Sequence, residues 1–234
     1  MTVNGTKEPV DYTREVRYEF MRGRQAVAAI RAFPVGYLPV GCLERHGDHL
    51  PMGLDTFKAA GVCRLVAQAV GGVVFPPHHY AGIHRMTATQ LDRHTGEWGN
   101  IYTDATATAH LIDIAIQLRL AGVRVLVLYS GHYPGCQVDM LEEVAAHFAS
   151  DPDLQVIPFA ECMILAGDHA GCSETSFMLY LDKTLVDMTA LHEHNYQDHG
   201  WQGERDPAAA SVALGEEGVH LVIAHLQEKI QASL

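Results

Sequence analysis

Apolar residues along this chain alternate between two spacings. In some stretches they recur every three to four positions; in shorter runs they are almost continuous. Arg14–Phe33 has the helical spacing, with Phe20, Ala26, Ala29 and Ile30 toward one face. Gly36–Val40 predicts a strand, and Thr56–Val70 a helix with Ala59, Val62, Cys63, Val66 and Val70 on one stripe, ended by Gly71-Gly72. Val73–Phe75 predicts a short buried strand, stopped by Pro76-Pro77. Thr103–Ala121 is the longest helical pattern, with Gly122 as its stop. Val123–Tyr129 is the clearest strand, and its nearly unbroken apolar character suits a parallel strand covered on both faces. A helix over Gln137–Ala149, a strand over Leu154–Phe159, and helices beginning at Glu174–Tyr180 and closing the chain at Glu216–Gln231 complete the pattern.

Strands alternating with helices of this length predict βαβ units, right-handed, around a mainly parallel sheet. With no low-complexity linker or internal repeat, residues 1–234 are expected to form a single domain. His192–Pro207 is the least regular segment, polar and rich in His, Gln and Gly, and is expected to be a loop near the site or a subunit contact.

Composition narrows the function. The 234 residues are 48% hydrophobic and 19% charged, enough to bury a core without disulfides. A net charge of -12 argues against nucleic acid and against an anionic membrane surface as partners. Five cysteines, none in C-x-x-C spacing, predict reduced thiols. Met1–Tyr12 is polar and unlike a signal peptide, and the apolar stretches are too short to span a bilayer; a soluble, cytoplasmic protein is expected.

Three clusters carry chemistry. The strand before Val40 leads into a loop bearing Glu44, His46 and, after Pro51 and Gly53, Asp55. Side chains just past a strand's carboxyl end face the crevice where open α/β sheets bind ligands. Glu44 and His46 are two apart, so an extended segment projects both to one side. Carboxylates with imidazoles suit Zn, Mn or Fe. The second cluster, Ser130-Gly-His132-Tyr-Pro134-Gly, follows the clearest strand. The third, Gly167-Asp168-His169-Ala-Gly-Cys172-Ser173-Glu174-Thr-Ser176, contains a helix start. Ser or Thr there suits a cap, and Glu174 either complements the helix dipole or points into the crevice with Asp168 and His169.

These residues resemble the creatininase family. The segment Pro39-Val-Gly-Cys-Leu-Glu44-Arg-His46-Gly-Asp-His49-Leu-Pro-Met-Gly-Leu-Asp55 is similar to its hallmark block, Gly131-His132 to its Asn-Gly-His turn, and His169-Ala-Gly-Cys-Ser-Glu-Thr-Ser176 to its His-Ala-Gly-Glu-x-Glu-Thr-Ser block. The resemblance runs from about Arg14 to Ser176, with a weaker echo through Leu185-Val186 and Ala210-Ser211. It implies a three-layer α/β/α fold, a hexamer, and one or two divalent metal ions (Zn, Mn or Fe) at the carboxyl edge of the sheet. It also implies C–N hydrolysis of a small cyclic amide, formamide or peptide by metal-activated water. Carried over, Glu44 and His132 bind one metal, His46 the other, and Asp55 bridges. His169 passes a proton to the leaving nitrogen, with Asp168, which matches a family glutamate, as a second candidate catalytic group.

The chain also departs from the family. Pro134 stands where the enzyme that gives the family its name has a metal-binding glutamate, and Cys172 where most members have a glutamate. Ser130 replaces the Asn of the turn, and Leu165 stands where one of two substrate-covering tryptophans would be. Glu174 is the remaining carboxylate for the second metal, and Cys172 an alternative ligand as thiolate. Action on another bond, such as a lactone or a ring opening, and a non-catalytic homologue are the alternatives.

Overall fold

A computed structural model describes residues 10–191 and 200–234. In chain order its elements are α1 (Gly23–Ala32), β1 (Val35–Val40), α2 (Leu54–Val70), β2 (Val73–Val74), α3 (Ala88–Trp98), α4 (Ala107–Leu120), β3 (Val125–Ser130), α5 (Gly135–His147), β4 (Gln155–Ala160), α6 (Cys172–Asp182) and α7 (Val212–Ser233). The four strands form one sheet, in the order β2-β1-β3-β4, with every pair parallel.

β1 and β3 are buried along their whole length, as continuous apolar runs in a doubly covered parallel strand require. The period-2 alternation of a strand sends their side chains to opposite layers. Leu38, Val40, Leu126 and Leu128 pack with Ile30 of α1, Leu111 of α4 and Met140 of α5. Tyr37, Val125, Val127 and Tyr129 pack with Val62 and Val66 of α2, Phe177 of α6 and Val222 of α7. This is the expected three-layer α/β/α arrangement. No helix among the described residues is long and apolar enough to cross a membrane.

Three local expectations differ from the structure, and one helix has no counterpart in the apolar pattern. Arg14–Phe33 is not one helix: only Gly23–Ala32 is α-helical, preceded by a short turn at Tyr18–Phe20. Ahead of it the chain runs beside β2, where the Val16 carbonyl accepts the Val74 amide at 2.8 Å, so the open sheet edge takes up hydrogen bonds a helix would have used. Phe20, expected inward, is exposed, with the Arg17 guanidinium over its ring. α2 begins at Leu54, two residues before the pattern indicated, which places Asp55 on the first helical turn rather than in the loop. Finally, α3 has no apolar stripe and no buried residue. Its signals are its ends: Thr87 and Gln90 form a capping box, and Gly99 closes it with a positive φ.

Candidate metal centre

Loops after β1 and β3 and the start of α6 converge beyond the carboxyl edge of the sheet, and the side chains they deliver are buried. Glu44, His46, Asp55, His132 and Glu174 are each at most 3% exposed. The approach of α2 to β3 depends on Gly131: a Cβ there would lie 2.0 Å from the Asp55 carbonyl oxygen, so a side chain would push Asp55 away from His132.

Three histidines share one pattern. His46 Nδ1 lies 3.0 Å from the Glu44 carbonyl oxygen, His132 Nε2 3.2 Å from that of Ile83, and His169 Nε2 2.8 Å from that of Arg45. A carbonyl only accepts, so each of these nitrogens carries the proton, and the other ring nitrogen faces the carboxylates. That is how metal-binding imidazoles are usually oriented. Asp55 stands between them: its Oδ1 is 3.1 Å from His46 Nε2 and its Oδ2 3.4 Å from His132 Nδ1. The His46–Asp55 contact is close but out of line, and the buried His46 Nε2 has no hydrogen-bond partner. Such a nitrogen, facing Asp55 Oδ1 and Glu174 Oε2 at 3.7 Å, is what a cation between them would satisfy.

The donors fall into overlapping sets whose ligand atoms lie within 4.8 Å of one another: Cys42, Glu44, Asp55 and His132; His46, Asp55 and Glu174; and Glu44, His46 and His169. Asp55 belongs to the first two. These residues fit a centre of one or two divalent ions, with Asp55 between the positions. Glu174 thus joins the cluster in which Pro134, the N-cap of α5, has no donor to offer. Cys172 does not join any of these sets; it is buried on α6 beside a different cavity.

Electrostatics follow from this packing. Burial opposes charge on His46, but Asp55, Glu174 and Glu44 outweigh it and raise the imidazole to about 9. Burial likewise opposes charge on His132, and Cys42, Glu44 and Asp55 raise it well above the usual histidine range. Burial would raise Glu44, yet His132 and His84 hold it well below the carboxylate range. Asp55 is lowered too, His46 outweighing its burial. In the metal-free protein the two imidazoles therefore carry positive charge against the carboxylates. His169 is lowered, by burial and by the neighbouring charge of His46, whose ring it stacks on at 4.4 Å.

Several residues that orient this cluster carry no sequence motif. Lys58 of α2 is fully buried, its Nζ 2.5 Å from Glu174 Oε1 and 3.6 Å from Glu161 Oε1, over the Tyr133 ring. Burial raises Glu161 to about 7, the charge of Lys58 only partly offsetting it. Tyr102 donates to Glu44 Oε2 at 2.9 Å, and His84 Nε2 lies 3.2 Å from the same oxygen. Ala170 holds a positive φ of 52°, and its amide donates to Glu174 Oε2 at 2.7 Å. A left-handed alanine costs about 1–2 kcal/mol, so the turn is held by what surrounds it. A buried lysine three residues past Asp55, the end of the first motif, could be suspected only from its place inside an apolar helical stripe.

Asp168 also has a structural job. It lines the cleft, but its two oxygens accept the amides of Ser173 and Glu174 at 2.6 and 3.1 Å. Asp168, not Ser173, caps α6, and Glu174 is free to turn into the cluster. The cleft itself is about 650 Å³ and is lined by Glu44, Asp55, His132, His169 and Glu174, with His84, His94, Tyr102 and Tyr133 around them. Of the polar segment His192–Pro207, residues 192–199 lie outside those described. Gln202, Gly203 and Glu204 form part of the cleft wall, as a loop near the site should.

Fold and cluster define an α/β protein with a candidate metal centre in the crevice at the carboxyl edge of a parallel sheet. Comparison with known proteins narrows this. The family model Creatininase (creatinine amidohydrolase) matches residues 19–230, and the chain belongs to that family. It is 30% identical to the creatinine amidohydrolase of Pseudomonas putida, over 67% of this chain and 68% of that one. It is 29% identical to the mycofactocin precursor peptide peptidase of Mycolicibacterium smegmatis, over 66% and 61%. A solved creatininase superposes with a TM-score of 0.74 at 23% identity, covering 94% of this chain and 98% of that one, and other solved creatininases include zinc–zinc and manganese forms.

Proposed function

We propose that this creatininase-like domain, spanning residues 1–234, is a metal-dependent amidohydrolase that cleaves a C–N bond of a small cyclic amide, formamide or peptide-like substrate. The observation that carries this reading is the set of three histidines, each fixed through one ring nitrogen to a backbone carbonyl and presenting the other to buried carboxylates. In this reading Glu44 and His132 would hold one ion and His46 and Glu174 a second, with Asp55 available to both. Metal bound there would supply a water with its pKa lowered to about 7 and a Lewis acid for a carbonyl.

The chain's own residues do the rest. Tyr102 and His84 fix one oxygen of Glu44, which leaves Glu44 Oε1 toward His132. Lys58 and the Ala170 amide fix Glu174. His169 keeps its proton on Nε2, against the Arg45 carbonyl, and presents Nδ1 to the cluster, 3.8 Å from Glu44 Oε1. Held neutral, that nitrogen takes the proton released as water attacks and returns it to the departing nitrogen. Asp168, at the cleft wall, positions α6 through the Ser173 and Glu174 amides and stays the second candidate proton-handling group. The peptidase relative supports keeping peptide-like substrates in view. A homo-oligomer, a hexamer by family likeness, and a cytoplasmic location are part of the proposal; five free cysteines suit a reducing compartment.

The test is a panel of cyclic amides, formamides, short peptides and lactones, assayed with metal-loaded and chelator-treated protein. Metal-dependent ring opening of a cyclic amide, or release of an amine or ammonia from a formamide or peptide, is the expected result. Turnover confined to lactones would replace the C–N reading.

A further inference from the structure

Cys42 is the one thiol that reaches the cluster. It lies on the extended run leaving β1, and Cys42, Glu44 and His46, each two residues apart, all face the centre. The thiol is wholly buried, and its Sγ lies 3.3 Å from Asp55 Oδ2. Its ligand atom and those of Glu44, Asp55 and His132 are mutually within 4.8 Å, the size of a four-coordinate shell. The backbone holds it there: a Cβ on Gly82 would sit 2.2 Å from Cys42 Cβ, so the chain at 81–83 presses directly on the cysteine. The neighbouring residue, Ile83, supplies the carbonyl that orients His132. On the far side of Asp55, the unpartnered His46 Nε2 marks the second position.

We propose that Cys42 is a metal ligand. Resting on the reading of this cluster as a metal centre, it makes the two positions unlike. One position has a sulfur, a nitrogen and two carboxylates; the other, at His46, Asp55 and Glu174, has nitrogen and oxygen only. Binding exchanges the thiol proton, which passes to solvent, for a metal–sulfur bond, with no change of oxidation state. Thiolate is a soft donor, so the Cys42 position prefers zinc or cobalt to manganese, whereas the other position tolerates manganese.

The experiment uses the full chain, freed of metal and titrated with cobalt(II), with cobalt stoichiometry measured alongside. The expected result is a near-ultraviolet sulfur-to-cobalt charge-transfer band at the first equivalent. The band persists in Cys172→Ser and disappears in Cys42→Ser, whose zinc affinity falls roughly tenfold or more while its manganese affinity changes little. X-ray absorption of the zinc-loaded wild-type chain shows a sulfur neighbour at about 2.3 Å, which decides the matter even if Cys42→Ser does not fold. Cobalt bound without the band, or the band retained in Cys42→Ser, overturns the proposal and leaves the metal centre standing. No bound cobalt at all overturns the metal centre and the proposal together.

Discussion

Replacing Lys58 by Met keeps the length of the stem and removes the charge between Glu174 and Glu161. Both carboxylates are at most 4% exposed, so neither is reached by water that would compensate. The least costly relief is for Glu174 to fold protonated. Taking a carboxyl with an ordinary value of 4.5 to the protonated form at pH 7 costs about 3 kcal/mol, at roughly 1.4 kcal/mol for each pH unit. That agrees with the roughly 3–5 kcal/mol seen when one partner of a buried ion pair is removed, and it is a large part of a stability of about 5–15 kcal/mol. The penalty has a direction in pH. It is greatest above neutrality and shrinks toward pH 4.5, where the unfolded carboxyl is protonated as well. The assay is urea denaturation of chelator-treated wild type, Lys58→Met and Lys58→Met/Glu174→Gln at pH 5 and pH 7.5. The single variant is expected to lose about 4 kcal/mol at pH 7.5 and under about 1 kcal/mol at pH 5, and the double variant to recover most of the loss. A loss below about 1 kcal/mol at pH 7.5, or one independent of pH, would refute the reasoning.

Four further outcomes are expected. Because carboxylates raise His46 to about 9 and raise His132 as well, both imidazoles are charged in metal-free protein at pH 7, and metal uptake must release about two protons from them; calorimetry in buffers of different ionisation enthalpy measures this. The same groups stabilise the metal-free fold fully below about pH 6.5 and lose that contribution as pH rises through about 9, so its melting temperature should fall over that window while metal affinity rises. His169→Gln should lower kcat by roughly 10²–10⁴ with metal content unchanged, checked by steady-state kinetics beside elemental analysis. Gly131→Ala should destabilise by about 1–3 kcal/mol and weaken metal binding, because its Cβ displaces Asp55; a thermal melt with and without metal reports both.

The sheet was legible in the sequence because its central strands are apolar on both faces, and β1, β3 and β4 fall within a residue or two of their expected ends. So was the order of the motifs: Glu44, His46, Asp55, His132 and Glu174 do converge, since loops after parallel strands open on one edge. What escaped is set by tertiary packing. Lys58 stands in an apolar stripe where a charge is unexpected, and only the two carboxylates brought from β4 and α6 account for it. The capping contacts of Asp168 also escaped, because Gly171, not Ser173, precedes the first turn of α6, which lets Asp168 reach the amides. Cys172 drew attention by its place in a motif. Cys42 did not, although its period-2 spacing from Glu44 and His46 already set all three on one side.

The central claim is that this acid–histidine cluster holds a divalent ion. The most direct measurement is elemental analysis of protein purified without chelator, compared with Glu44→Ala and His132→Ala. The expected result is at least one tightly bound Zn, Mn or Fe per wild-type chain, lost in both variants while they remain folded. A folded wild-type chain that carries no metal and takes up none when offered these ions would contradict it.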